Sequence, residues 1–249
     1  MTDPLALAAQ IDAGLRARAR PERASGEKAY LKSSLEHYGT SMPAIRSVVL
    51  EVIGQGPNAH DDVIALVNEL WGVPVHERRQ AAVEVLSANE DVLRADDIVL
   101  LERLLRESRT WALVDGLAAS VIGPLVEREP GLGATLDRWA VDEDFWIRRS
   151  ALLALLLALR RGEGDFERFG RYAEAMLGEK QFFIRKAIGW VLRDTGRKRP
   201  DLVFQWLEPR AARASGVTVR EAVKPLTDEQ RDAVLAARSA VPDASTGRG

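Results

Sequence analysis

The chain has 249 residues, of which 46% are hydrophobic and none is cysteine, and its formal net charge is −2. This apolar content is enough for a sizeable core. The absence of cysteine excludes a disulfide framework, thiolate-bound zinc and a cysteine nucleophile, and it suits a reducing cytoplasm. We expect no signal peptide, because Met1–Ala9 has no basic region followed by a long apolar stretch. We expect no membrane partner, because the longest apolar run, Ala151–Leu159, is too short to span a bilayer.

The charges are unevenly distributed along the chain. Residues 146–224 contain 17 Lys and Arg against 9 Asp and Glu, a local balance of +8, whereas the rest contains 18 against 28, a balance of −10. Such an asymmetry favours a basic face for an anionic partner. Basic residues scattered over solvated faces would give the same count, so the charge alone leaves both interpretations open.

Apolar residues recur at steps of three and four along nearly the whole chain, which predicts helices rather than strands. The loops between these helices are short, and Pro43 and Pro200 stand where the first turn of a helix tolerates proline. In chain order the predicted helices are Pro4–Arg18, Gly26–Tyr38, Pro43–Ile53, Asp61–Leu70, His76–Ser87, Ala95–Arg106, Thr110–Arg128, Gly133–Val141, Asp144–Arg161, Phe166–Leu177, Gln181–Thr195, Pro200–Glu208, Thr218–Lys224 and Thr227–Arg238.

About a dozen helices at a pair period of roughly 35–40 residues are typical of an α-solenoid. We therefore predict an all-α fold, an α-solenoid of HEAT-like antiparallel helix pairs. It forms a single domain over residues 1–237, followed by a disordered tail over residues 238–249. The clearest internal repeat sets Phe145–Ala151 beside Phe182–Ile188, where two aromatics, an aliphatic, two bases and a small residue recur.

Trp111 and Asp115 are four positions apart, so they share one face of a helix. An aromatic plane beside a carboxylate can hold a cationic group, because the ring face attracts the cation and the carboxylate offsets its charge. A half-buried core tryptophan with Asp115 paired to an arginine such as Arg109 would show the same spacing.

Two further groups of residues fit an anionic partner. Arg148 and Arg149 lie at a helix start, where an arginine can hold a phosphate in a bidentate fork, or can pair with a neighbouring acid such as Asp142 or Glu143. The second of these groups is Lys186, Trp190 and Arg193, in which a tryptophan lies between two cations on one helix face. Such a face suits either a stacking platform in a basic groove or a core position.

Gly189 lies in the middle of the same predicted helix, where glycine costs up to about 1 kcal/mol relative to alanine. That cost indicates a packing or functional reason, and the missing side chain would let another backbone approach closely. Elsewhere the sequence offers no catalytic motif, since it has no phosphate-binding glycine loop and no nucleophile elbow. The three histidines, His37, His60 and His76, show no metal-ligand spacing, and we expect no metal.

Five runs of the chain, in this order and at this spacing, resemble the AlkD-like family of DNA alkylation repair glycosylases. The resemblance covers about residues 20–225, and its last run is the most specific. The runs are Ala29–Ser33, Glu69–Trp71, Trp111–Asp115, Phe145–Arg149 and Phe182–Arg193.

The resemblance implies a curved stack of HEAT-like repeats with duplex DNA in a basic concave groove. It also implies a glycosylase that excises cationic N3- and N7-alkylated purines by hydrolysing the N-glycosidic bond, without the base flipping that most glycosylases use. Such an enzyme needs no metal or organic cofactor. The expected partner is double-stranded DNA with alkylated bases, and the protein is expected to be a monomer at the nucleoid in the cytoplasm, with no obligate protein partner.

The resemblance also assigns roles to residues. Trp111 and Trp190 match the aromatics that lie against the deoxyribose of the lesion, and Asp115 matches the catalytic carboxylate. Arg149 matches an arginine that contacts the backbone near the lesion, and Tyr30 matches an aromatic near the edge of the duplex. The remaining expected DNA contacts are Arg148, Lys186, Arg193 and Ser41.

The implied chemistry agrees with the residues. A cationic alkylpurine is a good leaving group, and a carboxylate can stabilise the oxocarbenium-like sugar and position water. The chain departs from the family pattern at Ala112, where members often carry a second aromatic, and at Ser41, where a longer polar side chain can reach the duplex. A non-catalytic DNA-binding relative on the same scaffold and a protein-interaction scaffold remain as alternatives.

Overall fold

The computed structural model describes residues 3–54 and 59–239, which divide into two compact units, Met1–Glu129 and Pro130–Gly249. These residues form sixteen α-helices and no strand; one isolated bridge pairs Glu36 with Val75. None of the helices in the described ranges combines the length and the apolar character that crossing a membrane requires. The predicted tail lies outside the described residues from residue 240 onward.

The first unit contains eight of the helices. Between the last two, the chain makes a wider π-helical turn, Leu117–Ile122, immediately before Pro124, whose ring would clash with a carbonyl of the preceding turn in a regular α-helix. The helices are α1 Pro4–Ala17, α2 Pro21–Leu31, α3 Met42–Ile53, α4 His60–Gly72, α5 His76–Ala88, α6 Ile98–Ser108, α7 Trp111–Gly116 and α8 Gly123–Arg128.

The core of this unit forms where α1 packs against α3, α4 and α5. The apolar positions of α1 recur at four-residue steps, so Leu7, Ile11 and Leu15 all point inward and are buried. Leu66 and Leu70 of α4 are fully buried, and burial of such a side chain stabilises the fold by about 1.5–3 kcal/mol.

The second unit contains the other eight helices. Its central helix is α13, which packs against α10, α11, α14 and α15 and buries its apolar face among them. The helices are α9 Gly133–Trp139, α10 Phe145–Leu153, α11 Leu156–Arg161, α12 Phe166–Met176, α13 Phe182–Gly196, α14 Pro200–Leu207, α15 Gly216–Ala222 and α16 Asp228–Ser239.

Three predicted helices differ from the structure in more than their end residues, one of them Thr110–Arg128, which the π-helical turn divides into α7 and α8. The helix predicted over Gly26–Tyr38 begins earlier, at Pro21, and is wrong after Leu31, because Lys32 adopts a left-handed conformation with φ 49° and ends α2. The chain then runs without helix to Ser41. The helix predicted over Asp144–Arg161 is interrupted by a turn at residues 154–155, which separates α10 from α11.

Candidate nucleic-acid interface

In the first unit, Trp111 and Tyr30 meet edge to face. Their ring centroids are 6.1 Å apart and the ring planes are nearly perpendicular, at 86°, which is a favourable geometry for two aromatic rings. Tyr30 is 74% exposed, whereas Trp111 is half-buried. Both rings line a cleft of about 380 Å³ between α2, α3, α5 and α7. The structure therefore brings together two of the aromatics that the sequence predicts as DNA contacts.

Trp111 opens α7 and is positioned by the residues that follow it. Leu113 and Val114 are fully buried, so they fix the rotation of α7 and leave Trp111 on its outer face. Gln80 of α5 donates a side-chain hydrogen bond of 3.2 Å to the carbonyl of Ala112, which ties the two helices together at the cleft. Ala112 also lines the cleft, so the departure from the family pattern lies in the cleft wall.

Asp115 and Ser41 lie close to this cleft in the chain but do not line it. Asp115 is half-buried one helical turn after Trp111, just before the π-helical turn. Ser41 precedes α3 in extended conformation and its side chain makes no capping hydrogen bond. Its neighbours Thr40 and Met42 contribute to the cleft wall. The roles of Asp115 and Ser41 stay predictions.

Glu77 is a residue of this region that the sequence does not single out. It is fully buried, and its carboxylate accepts the backbone N–H groups of Tyr38, Gly39 and Thr40 at 3.0, 2.6 and 3.2 Å. Buried carboxylates are stable when hydrogen bonds satisfy them. Glu77 therefore holds the loop that leads into α3 and brings Thr40 to the cleft.

Two histidines stack beside this loop. The rings of His37 and His76 are nearly parallel, at 8°, with centroids 4.5 Å apart. His76 is 3% exposed, and burial lowers its pKa to about 3, so the ring is neutral near neutral pH. Because His76 also lines the cleft, it presents an uncharged imidazole there.

Glu27, His37 and Glu77 each place a possible metal-ligand atom within 4.8 Å of the others, the one such group among residues 3–54 and 59–239. The positions are far apart in the sequence, so spacing rules do not reveal them. Three backbone hydrogen bonds already engage the Glu77 carboxylate, and Arg23 pairs with Glu27 at 3.4 Å. These contacts account for Glu77 and for one oxygen of Glu27, whereas the other Glu27 oxygen and both ring nitrogens of His37 are buried without a hydrogen-bond partner.

In the second unit, Arg148 holds α10 to its surroundings. Its guanidinium forms a bidentate pair with Glu179, at 3.0 and 2.8 Å, and donates to the backbone carbonyls of Asp142 and Glu143. The sequence left an ion pair with a neighbouring acid as the alternative to a phosphate contact, and Arg148 does form an ion pair. Its partner is the carboxylate of Glu179, whereas Asp142 and Glu143 contribute only their backbone carbonyls.

Arg149 is buried, at 3% exposed, and reaches the first turn of α13. It donates a hydrogen bond to the carbonyl of Phe183 and lies 5.9 Å from the centroid of that ring. The two copies of the predicted repeat therefore lie side by side. Their aromatics form one cluster, in which the ring centroids of Trp146 and Phe183 are 4.8 Å apart and Phe145 stacks on Phe183 and lies tilted against Trp146.

Lys186 and Arg193 lie on one face of α13, as predicted, and both bind the carboxylate of Glu221 in α15. Lys224 is the third cation on the same carboxylate, at 3.0 Å. The hydrogen bond from Lys186 is the largest of several effects that lower the pKa of Glu221 to about 2. Lys186 keeps 40% of its side chain exposed, and Arg193 keeps 24%.

Trp190 lies between these two cations and is half-buried. Its indole N–H donates to Asp194 at 3.1 Å, and Asp194 also binds Arg160 and Arg193. Burial raises the pKa of Asp194, but the hydrogen bonds from the two arginines outweigh that effect and hold it below its ordinary value. The indole is thus oriented by a carboxylate that the sequence analysis does not identify.

Gly189 is packed as the sequence predicts. A Cβ atom at this position would lie 3.0 Å from the carbonyl oxygen of Thr218 and 2.9 Å from Cβ of Glu221. No side chain larger than hydrogen fits without movement of α15, so the prediction of a close backbone approach is confirmed. This contact also explains why α15 presents Glu221 to Lys186 and Arg193.

The sequence analysis identifies the cations and aromatics but not the acids that bind them. Glu179 and Glu221 follow their arginine and lysine partners by roughly one helix-pair period. Opposite charges at that separation, rather than at adjacent positions, are the sequence signal that could have identified these two acids. The DNA contacts predicted for Tyr30, Arg148, Arg149, Lys186, Trp190 and Arg193 stay predictions.

A family model described as DNA alkylation repair enzyme matches residues 11–226 of the chain. A solved structure described as a predicted DNA alkylation repair enzyme from Enterococcus faecalis matches with a TM-score of 0.74 and 20% identity, over 85% of this chain and 98% of that one. AlkD2 from Streptococcus mutans matches with a TM-score of 0.57 and 17% identity, over 82% and 99%. No curated protein matches the chain significantly. The structural matches confirm the predicted all-α, helical-repeat fold.

Proposed function

The chain belongs to the DNA alkylation repair enzyme family, and we propose that it is a DNA glycosylase. Its substrates are cationic N3- or N7-alkylated purines in duplex DNA, and the reaction is hydrolysis of the N-glycosidic bond without base flipping. The observation that carries this proposal is Trp111, held by Tyr30 at the mouth of a cleft and followed one turn later by the half-buried Asp115.

The proposed reaction uses the charge that the lesion already carries. Alkylation at N3 or N7 makes the purine a good leaving group, so no general acid is needed to protonate it. As the glycosidic bond breaks, positive charge develops on the sugar, and the Asp115 carboxylate stabilises that charge and orients the attacking water. The face of Trp111 adds cation–π stabilisation of the same charge.

In the second unit, the proposal assigns phosphate contacts to the cations of α10 and α13. Lys186 and Arg193 share Glu221 and keep part of their side chains exposed, so a phosphate can compete with that carboxylate for them. The shared carboxylate also offsets part of their charge, which predicts moderate affinity with a clear salt dependence. Trp190, fixed by Asp194, supplies an oriented indole beside them.

The test is release of free base from methylated duplex DNA by the purified full chain, followed by chromatography. We expect N7-methylguanine or N3-methyladenine to accumulate, and Asp115→Asn to slow release about 100-fold, since that loss corresponds to about 2.7 kcal/mol of transition-state stabilisation. Asp62→Asn, at a half-buried carboxylate in the first turn of α4, is the matched control and should retain full activity. Absence of release by the wild type over hours overturns the proposal.

A second candidate function is DNA binding without catalysis. The observation in its favour is that Asp115 is not among the residues that line the cleft of Tyr30 and Trp111. Binding of duplex DNA that weakens steeply with salt, without any base release, selects this alternative.

A further inference from the structure

The first unit has a second, larger pocket, of about 660 Å³, that shares no lining residue with the Tyr30–Trp111 cleft. It lies where α2 and α6 end and α7 begins, with α5 forming one wall. Thr110, the residue before Trp111, is part of its lining. Lys32, Arg79, Arg106 and Arg109 bring four cations to it.

Three of these cations, Lys32, Arg79 and Arg109, form no ion pair with a carboxylate within residues 3–54 and 59–239, whereas Arg106 pairs with Glu102 at 2.7 Å. The acid in the lining, Glu107, attracts the Arg79 guanidinium at longer range and offsets part of its charge. The Glu107 carboxylate itself accepts the indole N–H of Trp71 at 2.8 Å and pairs with Arg103 at 3.4 Å. The pocket is therefore suited to an anion.

Two buried polar atoms in the wall, one from Thr110 and one from Arg79, lack hydrogen-bond partners. Thr110 is only 3% exposed, and its hydroxyl oxygen has no partner. Nε of Arg79 is also buried without a partner; the guanidinium is held 4.9 Å from the Trp71 ring centroid, and Nη1 donates to the Glu107 carbonyl at 3.0 Å. Buried donors without acceptors are rare in folded proteins, so two such atoms in one pocket wall indicate a place for an acceptor.

The backbone conformation of Lys32 and Arg109 also indicates a binding site in this pocket. Lys32 and Arg109 have φ angles of 49° and 48° and are the only non-glycine residues at positive φ in the described part of the chain. Glycine adopts this conformation without strain, as Gly162 does at the end of α11. Both positions instead carry cations that line one pocket, and strained residues of this kind cluster at binding sites.

We propose that this pocket binds a phosphate group and that its occupant is a backbone phosphodiester of the DNA strand that passes Trp111. The identification of the phosphate as part of DNA rests on the proposed function. A phosphate oxygen accepts hydrogen bonds from a hydroxyl and a guanidinium and is attracted by the charge of the lysine. Because Thr110 and Trp111 are consecutive, a phosphate here would fix the strand next to the Trp111 ring.

The decisive variant is Lys32→Gly with Arg109→Gly, because glycine relieves the backbone strain while it removes both cations. We expect this double variant to unfold at the same temperature as the wild type or higher. It should nevertheless bind duplex DNA at least tenfold more weakly, with the slope of log affinity against log salt reduced by about one. Arg20→Gln, at an exposed cation outside both pockets, is the matched control and should leave both quantities unchanged. Unchanged affinity and slope in the double variant overturn the proposal.

The source of the phosphate is tested separately, with ¹⁵N-labelled arginine and inorganic phosphate. We expect a saturable shift of the Arg79 Nε–H signal in the wild type, retained in Thr110→Ser and weakened several-fold in Thr110→Val. A shift with phosphate but wild-type DNA binding by the double glycine variant overturns the assignment to DNA. A wild type that binds no DNA overturns the proposed function instead, and the titration then still decides whether the pocket binds phosphate: no shift overturns it.

Discussion

The indole N–H of Trp190 donates to the carboxylate of Asp194, one helical turn further along α13. The same spacing separates Trp111 from Asp115 in α7, but the two acids have different surroundings. Asp194 is 2% exposed and binds Arg160 at 2.7 Å and Arg193 at 3.1 Å, whereas Asp115 is half-buried. One spacing thus occurs with two acids of different burial, of which Asp194 anchors a buried network and Asp115 is the proposed catalytic group.

Replacing Asp194 by Asn should destabilise the second unit. The asparagine side chain lacks the negative charge that offsets two arginines, and its NH2 group, itself a donor, would face the donors that now bind a carboxylate oxygen. We therefore expect the free energy of unfolding to fall by about 2–3 kcal/mol. Urea unfolding monitored by circular dichroism measures this change. Asp228→Asn, at an exposed acid in the first turn of α16, should change stability by less than about 0.5 kcal/mol. Equal effects of the two substitutions would contradict the anchoring role.

Glu221 should make stability depend on acid pH. Its pKa lies at about 2 in the folded protein against an ordinary value of 4.5, so its contribution is complete above pH 4.5 and is lost as the pH falls towards 2. We expect the wild-type free energy of unfolding to fall more steeply over this range than that of Glu221→Gln, by up to about 1.4 kcal/mol per pH unit. Unfolding in urea at a series of pH values measures the difference.

The control for this pH profile is Glu229→Gln, at an exposed acid in α16, which should titrate in parallel with the wild type. If the free energy of unfolding changed with pH in the same way for Glu221→Gln and the wild type, the contacts of this carboxylate with the three cations would not contribute to stability.

The sequence predicts a helix well where neighbouring residues alone determine its start, its end and its buried face. Helix α13 is predicted over Gln181–Thr195 and observed over Phe182–Gly196, because its apolar period and its flanking residues are all read within a few turns. The segment after Leu31 fails for the opposite reason. Two of its backbone N–H groups, those of Glu36 and Tyr38, donate to the Pro74 carbonyl and the Glu77 carboxylate, about forty positions later, and no local pattern reports those contacts.

The candidate site shows the same limit. The cost of Gly189 in a helix indicates a close contact, and the structure identifies Thr218 and Glu221 as the residues in contact. The sequence places Lys186 and Arg193 on one face but cannot tell whether that face meets solvent or an acid. Only the packing of α15 on α13 decides this, since it brings Glu221 between them.

Glu77→Gln should destabilise the first unit. A glutamine side chain has one acceptor oxygen where the carboxylate has two, and its amide nitrogen would face the backbone donors of residues 38–40. We expect a loss of about 2–3 kcal/mol in the free energy of unfolding, and a weaker cleft because Thr40 is no longer held. Urea unfolding measures the loss, and Glu84→Gln, at a half-buried acid two turns further along α5, should cost much less because Arg46 binds it near the surface.

Tyr30 should matter for activity far more than for stability. Its ring is 74% exposed and touches Trp111 edge to face, so Tyr30→Ala should change the free energy of unfolding by less than about 1 kcal/mol. If the cleft orients the lesion strand, loss of the ring frees Trp111 to rotate, and we expect kcat/KM for base release to fall about tenfold, or about 1.4 kcal/mol. Tyr30→Phe keeps the ring contact and should retain most of the activity. Leu50→Ala, at a 60% exposed apolar residue of α3 outside the cleft, is the control. Equal base-release rates for Tyr30→Ala and Leu50→Ala would show that the Tyr30–Trp111 contact does not contribute to catalysis.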